Sequence, residues 1–170
     1  MMVRYASILL LCLVSALYAE KTAYVNTFDI RSKLKEYQEA QETLKKETQE
    51  WETKAKELKK EIEDMQQELE KQKLLLNPQK VKERDDMILS KKLEYQTFLN
   101  SIWGENGKVV QREKELTKPI VDKILNAIKE VAYEEKCTLV LDVYQSNVVY
   151  AEKEMDLTEL VIKKLTQKVE

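Results

Sequence analysis

The sequence predicts an α+β protein that is mostly α: a small body with β-strands, and a long antiparallel coiled-coil hairpin inserted into it. Apolar residues recur every seven positions through the first half of the chain, as in the core seam of a coiled coil. This rhythm breaks at Asn77-Pro78 and then resumes. Short β-branched segments lie at both ends, outside the heptads. The two ends are therefore expected to form one body, with the hairpin between them.

The first 19 residues have the features of an export signal. Arg4 supplies a positive charge, an apolar run follows, and Ala16 and Ala19 are small residues near a cleavage point. Cleavage after Ala19 and after Ala16 both remain open, as does an uncleaved anchor, although the run is short for a membrane span. Cleavage removes one of the 29 basic residues and none of the 31 acidic ones, which leaves a net charge of −3. This charge gives no indication of nucleic-acid binding.

Residues for catalysis or metal binding are scarce. The chain has no histidine, which is the commonest general base and zinc ligand. Gly104 and Gly107, the only glycines, lack the spacing of a phosphate-binding loop. With Cys12 in the signal, Cys137 cannot form an internal disulfide. We interpret it as a small residue at the start of a strand, with a reactive or intermolecular thiol as the alternative. The sequence predicts no enzyme activity, no catalytic residue, no metal site and no cofactor.

The amino-terminal strand and the first helix follow the signal. Residues 22–26 alternate as a strand, with Ala23 and Val25 on one face. Thr27 or Asp29 is expected to cap a helix that runs from Ile30 to Leu76. One core phase of this helix contains Ile30, Tyr37, Leu44, Trp51, Leu58 and Met65; the other contains Leu34, Ala55, Ile62, Leu69 and Leu76, interrupted by polar Gln41 and Thr48.

The second helix of the hairpin repeats the same spacing. Its seam residues are Val81, Ile88, Tyr95, Ile102, Val109 and Leu116. Folding about residues 77–79 hides both seams, so the predicted arm comprises residues 30–116 with its tip near 77–79. The fold would bring Trp51 near residues 104–105, where the two glycines would make room for the indole or bend the arm.

The body is predicted from residues 20–29 and 117–170. Pro119 is expected to kink or restart the helix, whose apolar stripe continues to about Glu135. Residues 138–143 and 148–151 are predicted as two strands of a β-hairpin. The segment Asp156–Glu159 has the pattern of a capping box and opens a final helix. The apolar stripe of that helix is Leu157, Leu160, Val161 and Leu165.

Both parts leave apolar surface without a partner. The body is small and its strands have open edges, so self-association through the strands is expected. In the arm, one row of apolar residues lies beside the seam: Leu89, Trp103 and Val110. Four more apolar residues fall outside the stripe: Leu74, Leu75, Leu93 and Phe98. A two-helix hairpin cannot cover all of them.

Four segments of the chain resemble the Skp/OmpH family of periplasmic chaperones. They are Lys21–Asn26, Pro119–Ala132, Thr138–Asp142 and Val149–Thr158. The most recognisable feature is a strand that ends in Val149-Tyr-Ala, followed by Asp156-x-Thr158 at the start of the last helix. The long charged hairpin is also similar to the family, although any coiled coil would share that part.

The resemblance implies an ATP-independent holdase in the periplasm. Three bodies would pair their strands into a shared barrel, and three arms would project like tentacles around a cavity for unfolded outer-membrane proteins. On this interpretation the trimerisation residues are Ala23, Val25, Leu139, Leu141, Val143, Val148 and Tyr150. The client-contacting residues are Leu89, Phe98, Trp103 and Val110.

Other interpretations remain open. The body residues would instead be the core of one subunit, and the arm residues would complete a broad stripe within the hairpin. The alternative function is an exported coiled-coil structural or adaptor protein of the cell envelope, with no binding of unfolded clients. Some family members are strongly basic, which has been linked to lipopolysaccharide or anionic lipid. Because the mature chain is acidic, contact with a membrane or lipopolysaccharide is not carried over.

Overall fold

The computed structural model describes residues 21–167, so the predicted export signal lies outside the described residues. The elements are β1 (Lys21–Val25), α1 (Thr27–Lys33), α2 (Lys35–Gln72), α3 (Pro78–Trp103), α4 (Lys108–Glu134), β2 (Cys137–Asp142), a 3-10 turn (Lys153–Met155) and α5 (Thr158–Gln167). The predicted fold class, mostly helical with a helical hairpin and a small pair of strands, is confirmed. No helix within the described residues is long and apolar enough to cross a membrane.

The chain divides into two compact units. We call residues 21–35 and 121–167 the body, and residues 36–120 the hairpin. The boundaries fall at residues 35–36 and 120–121, whereas the sequence placed them at 29–30 and 116–117.

The body contains a two-stranded parallel sheet built from both ends of the chain. Ala23 pairs with Val140 and Val25 with Asp142. The other edge of β1 forms a bridge between Tyr24 and Asp156. The predicted strand at residues 148–151 is wrong for this chain, because residues 147–152 contain no strand. After the turn at Asp142 the chain passes to the far edge of β1 and does not return along β2.

The start of the first helix differs from the prediction. Asn26 caps α1: its side-chain Oδ1 accepts the N–H groups of Phe28 at 3.1 Å and Asp29 at 3.3 Å. Thr27 is instead the first residue of the helix, and its hydroxyl donates to Asp142. The helix predicted to be continuous is also interrupted at Leu34, whose backbone is extended and whose side chain is buried.

The buried side chains of the body core come from β1, α1, α4, α5 and the residues beside these elements, whereas β2 and the 3-10 turn contribute none. Val25, Ile30 and Val161 are its most completely buried large side chains. In α5, Leu160 was predicted to lie on the buried stripe but is exposed, and Ile162 is buried instead. The two residues flank Val161 on opposite sides of the helix, and the side of Ile162 faces the core.

The hairpin buries the predicted heptad seam. Ile62, Leu69 and Ile88 form a buried cluster, against which Tyr95 packs. The seam residues of the second helix, from Val81 to Leu116, are all buried or half-buried. α2 ends at Gln72, four residues before the predicted end at Leu76.

The second helix of the hairpin is broken, which the sequence did not predict. α3 ends at Trp103 and α4 begins at Lys108. A Cβ atom added to Gly104 would lie 2.3 Å from the backbone oxygen of Asn100, and one added to Gly107 would lie 2.4 Å from that of Ile102. Only glycine therefore fits at either position of this break.

Pro119 lies inside α4 and does not end the helix, so the predicted restart is wrong, while the predicted kink stays a prediction. The proline removes one N–H and leaves the carbonyl of Glu115 without its helical partner. Both residues are exposed, so water can hydrate that carbonyl and the cost is small.

The break changes the register of the hairpin. On the tip side, Arg84 reaches Glu68 and Lys91 reaches Glu61, so seven residues along α3 correspond to seven residues back along α2. Continuing this register would place residue 40 opposite Arg112. Arg112 instead contacts Glu47, one heptad nearer the tip.

Candidate binding surfaces

Apart from those at the tip, the exposed apolar side chains of the hairpin lie on its second helical segment, α3 and α4. Leu89 and Leu93 on α3 are 57% and 61% exposed, and their i,i+4 spacing puts them on one face. Over its described length, α2 has no large apolar side chain that is exposed. The surface available for binding apolar groups is therefore on α3 and the elements beside it.

The break between α3 and α4 carries a second group of apolar residues. Trp103 and Val110 are exposed on either side of it. Phe98 is half-buried, and its ring packs edge-on against Trp103 with 6.4 Å between the ring centroids. Thus three of the four predicted client-contacting residues, Leu89, Trp103 and Val110, are exposed, and the fourth is partly covered.

The tip has the most exposed apolar residues of the hairpin, and these were not among the predicted client-contacting residues. Leu74 is 97% exposed and Leu75 is 87% exposed, in the turn between α2 and α3. Met87 on α3 is also exposed. The sequence did indicate that Leu74, Leu75 and Leu93 would be exposed, since all three fall outside the heptad seam.

The body has an open strand edge. In the described part of the chain, no strand pairs with the edge of β2 that faces away from β1. Leu139, which is 50% exposed, and Leu141 lie on β2. An unpaired edge with apolar side chains is a site at which another chain can add.

A groove of about 400 Å³ brings together four of the seven predicted trimerisation residues. Its lining includes Ala23, Leu141, Val148, Tyr150 and Met155. Ala23 and Val25 are nearly inaccessible, because the body itself covers them. The accessible members of the predicted set are therefore Leu139, Leu141 and Tyr150, with Val143 and Val148 half-buried.

One carboxylate holds the end of β2 to the start of α1. Asp142 Oδ2 accepts the hydroxyl of Thr27 at 2.6 Å, and Oδ1 accepts the backbone N–H groups of Thr27 at 3.2 Å and Tyr144 at 3.1 Å. The ring of Tyr144 stacks on Phe28 with 5.2 Å between centroids. These contacts fix the geometry of the open edge.

The charged groups form stabilising surface pairs. Hydrogen bonds to Glu134 and Glu130 raise the pKa of Lys164, and hydrogen bonds to glutamates likewise raise the pKa of Arg112. Burial, followed by the nearby charge of Asp156, raises the pKa of Tyr24. Within residues 21–167, no group of three or more Cys, Asp or Glu side chains is placed to hold a metal ion.

Comparisons with known proteins agree with this architecture. The family described as OmpH, outer membrane protein (OmpH-like), matches residues 21–165. A crystal structure from Caulobacter crescentus, described as a candidate outer membrane chaperone (OmpH-like), superposes with a TM-score of 0.74 at 15% sequence identity. The match covers 88% of this chain and 86% of that one, and it shows a shared fold. No curated protein matches the sequence significantly.

Proposed function

Because the chain belongs to the OmpH-like outer membrane protein family, we propose that it is an ATP-independent holdase of the periplasm that binds unfolded outer-membrane proteins. Family membership supports a chaperone role. The observation that carries the finer proposal is the exposed apolar face of α3, on Leu89 and Leu93, which a folded hairpin leaves without a partner. Contacts of this kind are individually weak, and several arms around one client would multiply them.

We further propose that the body assembles as a trimer through the free edge of β2. The apolar residues Leu139 and Leu141 would meet those of a neighbouring subunit, and the groove beside Tyr150 would be covered in the assembly. Pairing the edge would remove a site of uncontrolled association.

Native mass spectrometry of the mature chain tests the client-binding proposal. The chain is measured alone and after a urea-unfolded outer-membrane β-barrel protein is diluted into it. We expect an oligomer that takes up the unfolded protein but not the same protein already folded. An oligomer that ignores the unfolded protein would favour the structural or adaptor alternative.

Matched variants locate the binding surface. Leu89→Ser/Leu93→Ser removes the exposed apolar pair of α3, whereas Gln49→Ser/Gln67→Ser changes two exposed, uncharged residues of α2. The α3 variant is expected to weaken client binding about tenfold or more, since each leucine loses the burial of a partly exposed side chain. Equal binding by both variants would place the client elsewhere.

A separate variant tests the assembly. Leu139→Lys/Leu141→Lys puts two like charges on the free edge of β2, which is a device that proteins use to prevent strand pairing. We expect a monomer in native mass spectra, with unchanged helical content by circular dichroism. A variant that still assembles would show that the subunits meet through another surface.

A further inference from the structure

The register change at the glycine break equals one whole heptad. Glu47, Glu61 and Glu68 are spaced by multiples of seven on α2. Their partners on the other side, Arg112, Lys91 and Arg84, are spaced in the same way. Because the six residues hold equivalent heptad positions, the offset does not arise from differences in side-chain reach. A shift of α3 by one heptad along α2 would therefore keep Ile88, Tyr95 and Ile102 in the seam, while Val81 would enter the turn.

The tip sequence can accommodate that shift. At present Asn77 caps α3, accepting the N–H of Lys80 at 2.8 Å, and Pro78 is the first residue of the helix. The heptad pattern of α2, however, continues beyond Gln72 to Leu76. Pro78 also suits the position after the end of a helix, since proline commonly follows a C-terminal cap. α2 can thus end at Gln72 or at Leu76.

The glycine break can accommodate the shift as well. Removing the extra heptad from the break makes α3 and α4 one helix, in which residues 104–107 gain regular helical hydrogen bonds. Lys91 would move from Glu61 to Glu68, again a lysine facing a glutamate. The pair Arg112–Glu47, on the body side of the break, would be unchanged.

We propose that the hairpin has two registers one heptad apart. In the register described above, the extra residues are held at the break between Trp103 and Lys108, and Asn77 caps α3. In the second register the break is helical and the turn moves to about residues 77–81. The hairpin then lengthens by about 5 Å, half a heptad on each helix at 1.5 Å per residue. Arms of adjustable length would suit a protein that holds clients of different sizes.

Cysteine cross-linking distinguishes the two registers in the full mature chain with Cys137→Ser. A short thiol cross-linker joins Glu61→Cys to Lys91→Cys in the first register, and Glu68→Cys to Lys91→Cys in the second. The pair Glu47→Cys and Arg112→Cys is the control, because it links in both. Links within one chain are identified by peptide mass spectrometry. We expect the 61–91 link to predominate in the otherwise unchanged chain.

Two variants then shift the balance from opposite ends of α3. Gly104→Ala/Gly107→Ala favours the continuous helix, and in the broken helix it places Cβ atoms against backbone oxygens. Each alanine should favour the second register about fivefold, so the ratio of 68–91 links to 61–91 links should rise more than about tenfold. Asn77→Ala removes the cap of α3 and should raise the ratio about fivefold. Glu105→Ala, an exposed change in the same break, should alter it less than twofold.

The outcome is decided by the two variants together. A raised ratio in either one, with the 47–112 link retained, supports the two registers. If the glycine variant loses the 47–112 link, it has unfolded the hairpin and Asn77→Ala decides alone. An unchanged ratio in Asn77→Ala, together with an unchanged or unmeasurable ratio in the glycine variant, overturns the proposal.

Discussion

Replacing Asp142 should loosen the junction between β2 and α1. Its carboxylate accepts three hydrogen bonds, two from Thr27 and one from the backbone of Tyr144. A hydrogen bond to a charged group contributes about 1.5–3 kcal/mol, and a value below that range applies here because Asp142 is only half-buried. At about 1 kcal/mol for each bond, Asp142→Ala should lower the free energy of unfolding by about 3 kcal/mol, a large part of the stability of a typical domain.

Two milder variants grade the effect. Asp142→Asn keeps an acceptor oxygen at the position of Oδ1 and should cost about 1–2 kcal/mol. Thr27→Val loses the hydroxyl bond alone and should cost about 1 kcal/mol. Urea denaturation followed by circular dichroism measures these differences, at one fixed protein concentration because assembly would shift the midpoint. A loss below about 1 kcal/mol for Asp142→Ala would refute the assigned role of the carboxylate.

Three further variants have defined outcomes. Arg112→Lys replaces a two-pronged contact with Glu47 by a single one and should cost about 0.5–1 kcal/mol in urea denaturation. Lys164→Gln should remove a loss of stability at alkaline pH. Hydrogen bonds to glutamates of α4 raise the pKa of Lys164 above its usual 10.5. The contribution of Lys164 to the free energy of unfolding is therefore complete below that pH and is lost as the pH rises through the folded-state pKa. Lysine titrates at about pH 10 to 11. Urea midpoints measured between about pH 9 and 12 should therefore fall less steeply in this variant than in the unchanged chain. Val161→Ala, at a fully buried position, should lower the unfolding free energy by about 2–3 kcal/mol, whereas truncation of exposed Leu160 should cost under about 1 kcal/mol.

The heptad pattern predicted the hairpin because burial acts on each helix with a fixed period. It could not reveal the break after Trp103, because a displacement of one whole heptad leaves the period intact on both sides. Gly104 and Gly107 were the only local signal, and the sequence indicated that they make room for the indole of Trp51 or bend the arm.

The body was harder to predict because its contacts join distant residues. Asn26, Thr27 and Asp29 are all good helix caps; the structure uses Asn26, and Thr27 enters the helix and bonds to Asp142, 115 positions away. Similarly, the alternation at residues 148–151 indicates a strand but cannot show what it would pair with. In the described chain, one edge of β1 pairs with β2 and the other bridges to Asp156, so β1 offers no free edge to residues 148–151.

The parallel pairing of β1 with β2 has a consequence for the order of folding. Lys21 and Glu135 contact each other although they are 114 positions apart, and closing so long a loop in a disordered chain is slow. The two helices of the hairpin are neighbours in sequence and can zip together from the tip as far as Glu47 and Arg112. The unpaired chain between the strands is then reduced to about fifty residues. The hairpin would thereby act as an internal guide that brings the two ends of the chain together before the sheet forms.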